Sequence, residues 1–289
     1  MIDNLRITTL VENTAGEPDV LAEHGLAFWI EADGRRVLFD TGQGNVLQHN
    51  ARQLGVEFDT ADMVVLSHGH YDHTGGLRVV LGPGLETDVY LHPAALAPKF
   101  ARRKKPPHRD IGIPKLDEQT IRSSARTLVW TNGPTELFPG VHVTGQVPRR
   151  NDFEDTGGPF FLDSDCEKPD PLIDDQAIYI ETPDGIVVLL GCAHSGVANT
   201  LDYISELTGN RHIRAVLGGM HLVQAKRERF EATLNMLKRY EVDLVAPAHC
   251  TGTRAVAYLW SELPDRCVQC STGSRFTFPA DFSSTGRER

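Results

Sequence analysis

The stretch Ser67-His68-Gly69-His70-Tyr71-Asp72-His73-Thr74-Gly75-Gly76 places three histidines and one carboxylate within six residues. It follows Met63-Val64-Val65-Leu66, a short apolar run of the kind that fills a buried strand. If the chain stays extended, His68 and His70 point the same way, because strand side chains repeat every two residues. Asp72 and His73 then fall on a turn, where neighbouring side chains diverge and can serve a second ion. Neutral imidazole and carboxylate ligate zinc, iron and manganese alike, so the cluster specifies a metal more sharply than it specifies which one. Zinc, as one or two ions, is the first expectation, with iron or manganese as alternatives. A solvated polar loop has no need of this spacing.

Outward from the cluster, strand-like and helix-like stretches alternate. Residues 26–31 and 36–40 read as a hairpin turning at Asp33-Gly34, and residues 186–190 pair with 177–181 around Pro183-Asp184-Gly185. Helices are expected over 45–54, 197–207 and 226–240, the last with Phe230, Leu234 and Leu237 on one face. Residues 215–217 and 244–246 are strand-like. Residues 98–116 carry Arg102, Arg103, Lys104, Lys105, Pro106 and Pro107 and read as an excursion from the core. The expected organisation is one domain over 1–289, in two comparable halves of about 1–145 and 146–289.

A chain of 289 residues, 40% hydrophobic and 24% charged, can bury a sizeable core. Its net charge of −10 argues against a nucleic-acid partner, since such affinity rests on Lys and Arg neutralising phosphates. No long apolar run or signal-like segment opens the sequence, so a cytoplasmic protein with no membrane partner is expected. A small-molecule substrate is the expected partner; self-association is left open. The five cysteines, Cys166, Cys192, Cys250, Cys267 and Cys270, are sparse and odd in number, which favours free thiols. Cys267 and Cys270 form a C-x-x-C pair with no second pair to complete a structural zinc site.

His68-x-His70-x-Asp72-His73 resembles the signature of the metallo-β-lactamase superfamily. Phe39-Asp40-Thr41-Gly42 resembles that family's first motif, and Ala246-Pro247-Ala248-His249-Cys250-Thr251-Gly252 its last metal-ligand motif. The resemblance implies an α/β fold, the four-layer αββα sandwich, with metals at one edge of the two sheets. It assigns His68 and His70 to a first metal and Asp72, His73 and His249 to a second. Where many members carry a third histidine for the first metal, this chain has Thr144-Gly145-Gln146-Val147-Pro148-Arg149. Where many carry a bridging aspartate, it has Leu190-Gly191-Cys192-Ala193-His194-Ser195-Gly196. His194 is therefore expected to ligate the first metal, with Cys192 the weaker candidate. These departures, with Glu23-His24-Gly25-Leu26, Asp174-Asp175-Gln176-Ala177 and Gly218-Gly219-Met220-His221-Leu222, are similar to the branch named for 7,8-dihydropterin-6-methyl-4-(β-D-ribofuranosyl)aminobenzene-5′-phosphate synthase.

The activity this implies is metal-dependent hydrolysis of a small ester, lactone or phosphate-bearing substrate, with Asp72 orienting the nucleophile. The alternatives are a transferase joining a dihydropterin to a ribofuranosylaminobenzene phosphate, as in methanopterin-type biosynthesis, and a metal- or ligand-binding sensor without turnover. His221 follows a glycine pair after an apolar strand and is a candidate substrate contact or proton donor. Arg149 and Arg150 are candidate contacts for an anionic group. The basic run Lys99 to Lys105 either borders the pocket or is a solvated face. Asp40 reads as a hydrogen-bonding support for a ligand, and His24 as either site lining or local structure.

Overall fold

Two β-sheets stack face to face in the computed structural model, which describes residues 1–81, 87–114 and 118–279. The first has seven strands in the order Arg275–Pro279, Asn4–Val11, Ala27–Ala32, Arg35–Phe39, Met63–Val65, Asp88–Leu91 and Thr127–Trp130. The second has six, in the order Leu244–Ala248, Ile213–Gly219, Gly185–Leu190, Ala177–Thr182, Val141–Val143 and Thr135–Phe138. Phe28, Phe39 and Val65 of the first sheet meet Ile178, Leu189 and Leu217 of the second in one buried cluster. The outer face of the first sheet packs Trp29, Leu38 and Val64 against Leu47, Leu77 and Val80 of short helices. The outer face of the second packs Val188 and Val216 against Leu201, Leu234 and Leu259, one from each of three helices.

This is the four-layer αββα arrangement expected from the sequence. The expected helices form over Leu47–Gln53, Val197–Leu207 and Arg227–Arg239, and a further helix, Thr253–Glu262, joins the last two on the outer face of the second sheet. The first hairpin turns where expected, with Asp33 and Gly34 both at positive φ, 47° and 83°. Those values suit a two-residue primed turn, which follows the twist of the paired strands. The chain passes to the second sheet between Trp130 and Thr135, and Arg275–Pro279 returns to pair with Asn4–Val11.

The excursion is more regular than its composition suggests. Phe100–Ala101 and Arg109–Asp110 pair with each other, and Phe160–Phe161 adds a third strand. Arg102 lies over the Phe161 ring at 4.3 Å. This small sheet docks on the metal-motif loop through Tyr71 N, which donates to Ile111 O at 2.9 Å. Residues 115 and 116, the end of the expected excursion, lie outside the described residues.

Arg35–Phe39 and Met63–Val65 run parallel in the first sheet, as do Gly185–Leu190, Ile213–Gly219 and Leu244–Ala248 in the second. Loops leaving the C-terminal ends of parallel strands commonly gather the functional groups of open α/β sheets. Here those five strands deliver Asp40, the histidine motif, Cys192 with His194, His221 and His249. No helix among the described residues is long and apolar enough to cross a membrane.

Candidate metal centre

The strand before the motif ends at Val65, and residues 67–69 bend. His68 and His70 are therefore not presented by strand alternation, as the sequence suggested. The bend itself brings the rings together, His68 Nε2 lying 3.0 Å from His70 Nδ1. Asp72 and His73 sit on the one-turn helix Tyr71–Thr74, where successive side chains diverge by about 100°. Gly76 lets this helix close on the Asp40-Thr41-Gly42 loop: a Cβ there would fall 2.3 Å from Thr41 O.

Buried polar side chains hold these loops. Asp40 accepts from Ser67 N and Ser67 Oγ, both at 2.7 Å, and its Oδ2 lies 2.7 Å from His73 Nδ1. Asp174 accepts from Gly69 N at 2.8 Å, Asp175 accepts from Ser195 N at 2.8 Å, and Gln176 donates to Leu66 O at 2.7 Å. The Asp174-Asp175-Gln176 motif thus braces both metal-motif loops. Backbone strain gathers here as well: Asp40, Ala193, His221 and His249 have φ of 61°, 53°, 45° and 50°. Such conformations persist in non-glycine residues where surrounding structure enforces them.

Two sets of donor atoms share Cys192. Its sulfur groups with His68 and His194, and also with His73 and His249, each set lying within 4.8 Å. His73 Nε2 is 3.1 Å from Cys192 Sγ and 3.3 Å from His249 Nε2. Asp72 Oδ2 reaches His249 Nε2 at 3.4 Å and His24 Nε2 at 3.0 Å. The two candidates for the remaining ligand of the first metal, His194 and Cys192, both lie with His68. The ring of His70 lies against that of His194, with centroids 4.9 Å apart.

The donors suit a transition metal. His70 Nε2 and His194 Nε2 are buried without a hydrogen-bond partner, a costly state that coordination would relieve. Burial drives the His68 and His194 imidazoles far below their ordinary value and His70 to about 3, leaving all three neutral, the ligating form. For His73 burial opposes charge, but Asp40 outweighs it and lifts the ring to about 9. Metal-free, His73 is therefore protonated on both nitrogens at neutral pH; Asp40 holds the Nδ1 proton, and a metal at Nε2, which faces the centre, would displace the other.

The cluster opens on a cavity of about 890 Å³. Asp72, His194, His221 and His249 line it, with Tyr71, Val256 and Trp260, and with Phe160 and Arg109 from the small three-stranded sheet, which caps the cavity. Arg109 is the only lysine or arginine lining this cavity among the described residues, with its guanidinium 4.5 Å from the centre of the Tyr71 ring.

The basic residues singled out from the sequence go elsewhere. Arg149 donates to His194 O and Pro171 O, and Arg150 pairs with Glu206 on the surface. Neither lines the cavity, because the chain at residues 149 and 150 passes behind the His194 turn. Lys99 is 1% exposed, locked between Asp170 and Asp174 at 2.9 Å each. Gln146, in the place of the missing histidine, is exposed. Sequence reasoning missed Arg109, and also Glu12 and Asn13. Glu12 accepts from His249 N at 2.7 Å, and Asn13 Oδ1 lies 2.9 Å from His249 Nδ1. The strand end that supplies these two lies far from the motifs, and no local pattern marks it.

The model of the metallo-β-lactamase superfamily matches residues 21–249, and the chain belongs to that superfamily. It is 29% identical over 289 residues to 7,8-dihydropterin-6-methyl-4-(β-D-ribofuranosyl)-aminobenzene-5′-phosphate synthase of Methanocaldococcus jannaschii, covering 96% of this chain and 98% of the relative. A second protein of that organism, the uncharacterized MJ0448, is 31% identical over 255 residues, with 88% of this chain and 93% of the relative covered. Among solved structures, Tm1679, described as a metal-dependent hydrolase of the β-lactamase superfamily, superposes with a TM-score of 0.80 at 30% identity. That match covers 94% of this chain and 98% of Tm1679.

Proposed function

We propose that the protein is a metal-dependent hydrolase of a small ester, lactone or phosphate-bearing substrate. The observation that carries this reading is the opening of a buried His, Asp and Cys cluster onto one cavity with a cation at its cap. His68, His70, Cys192 and His194 would hold a first ion; Asp72, His73, Cys192 and His249 would hold a second, zinc being the ion that best suits mixed imidazole and thiolate donors. A divalent ion there supplies Lewis acidity, polarising the scissile group and acidifying water.

The chain's own residues supply the rest. Asp72 faces the cavity and orients the attacking water, and His24, 3.0 Å away and half-exposed, passes the proton toward solvent. Arg109 takes a carboxylate or phosphate of the substrate, while Tyr71, Phe160 and Trp260 flank its apolar body.

Aryl esters, lactones and aryl phosphodiesters assayed with metal-replete and chelator-stripped protein test the proposal. Metal-dependent turnover of one class is expected. Equal activity after complete metal removal would overturn it, and tight metal binding with no turnover of any class would favour a sensor.

The extent of similarity to the named synthase favours one second reading: transfer of a dihydropterin to a ribofuranosylaminobenzene phosphate. The flat aromatic walls suit ring-bearing substrates. Chromatographic detection of the coupled product would distinguish it from hydrolysis.

A further inference from the structure

Cys192 has a third set of neighbours. Its sulfur also lies with the Cys250 sulfur and a ring nitrogen of His221, the three donor atoms being within 4.8 Å of one another. They arrive on three separate loops, after Gly185–Leu190, Ile213–Gly219 and Leu244–Ala248. Both cysteines are free and buried. His221 Nδ1 is buried and has no hydrogen-bond partner, a state that native structures rarely leave unexplained.

The backbone makes room for these groups. A Cβ on Gly219 would fall 2.7 Å from the Cys250 sulfur, and a Cβ on Gly157 would fall 1.9 Å from the His221 ring. A cysteine serving only as a small apolar side chain needs no such company. Cys166, Cys267 and Cys270 are buried too, yet none of them falls in a comparable donor group among the described residues.

We propose that Cys192, His221 and Cys250 form a third, sulfur-rich donor position that takes a thiophilic divalent ion of the zinc class. Two thiolates and an imidazole favour such an ion over manganese or magnesium, which prefer oxygen donors. Binding deprotonates both thiols and releases their two protons to solvent. A thiolate bridges at most two ions, so an ion here competes with the two neighbouring sets for Cys192. His221 then serves as a ligand, in place of the proton donor or substrate contact expected from the sequence. The inference concerns donor atoms and stands apart from which reaction the centre performs.

The test is titration of the metal-stripped full chain with Cd2+, following the ultraviolet charge-transfer band from thiolate to cadmium. The wild type should develop the intensity of two thiolates. Cys250→Ser and Cys192→Ser should each lose about half of it, since the band counts bound thiolates. Cys267→Ser, which alters a buried thiol outside the group, should match the wild type. A Cys250→Ser titration indistinguishable from wild type overturns the proposal. Should that variant fail to fold, cadmium NMR of the unmodified protein decides: a two-sulfur environment supports the proposal and a one-sulfur environment sinks it. Loss of the hydrolase reading would leave these signals unchanged.

Discussion

Arg149 donates from Nη2 to the carbonyl oxygen of His194 at 2.7 Å, so its guanidinium braces the turn that presents His194 to the centre. Arg149→Ala should weaken metal binding about tenfold or more, the scale of losing a group that orients a ligand. Turnover of anionic and neutral substrates should fall together. Competition against a chromophoric chelator reads the first effect and paired kcat/KM values read the second. A loss confined to anionic substrates would return Arg149 to the substrate.

Arg109 should behave in the opposite way. Arg109→Ala is expected to lower kcat/KM for an anionic ester about tenfold or more, as for loss of one charge-assisted contact. A neutral ester of similar size and the metal content should be little changed. Equal losses on both esters would mean that Arg109 supports the cap through Tyr71 and does not read charge.

Lys99 is a structural cation beneath the metal loop. It pairs with Asp170 and Asp174, and Asp174 in turn holds Gly69 N. Lys99→Met leaves two buried carboxylates without their partner and should cost about 3–5 kcal/mol of stability. Urea denaturation of the stripped protein measures this. The double variant Lys99→Met with Asp174→Asn should recover part of the loss; no recovery would show that the pair is not coupled.

Both His194→Ala and Cys192→Ser should lower metal occupancy, because both side chains lie with His68. Elemental analysis of protein purified without added metal should find at least one transition-metal ion per chain in the wild type and less in each variant. Unchanged occupancy in either would remove that residue from the centre.

The sequence by itself determined the class of fold and pointed to most of the residues that the structure gathers into groups able to hold a metal. Three histidines and an aspartate in one short run, apolar strands before each motif, and Asp33-Gly34 at positions that demand positive φ are local signals. Local chemistry suffices to read them, since hydrophobic period and turn geometry act over a few residues. What the donors face was decided only by tertiary structure. Cys192 became the shared member of several donor sets because loops from two sheets converge at one edge. Lys99, Arg149 and Arg150 were turned to structural or surface partners, and Arg109 was brought to the cavity by a small sheet whose third strand is Phe160–Phe161. The physical reason is that a charged side chain's partner is set by which distant segments pack beside it. The sequence offered Lys99 as pocket border or solvated face and Arg149 as an anion contact and passed over Arg109; only packing separates a buried ion pair from a brace and from a cation facing a cavity.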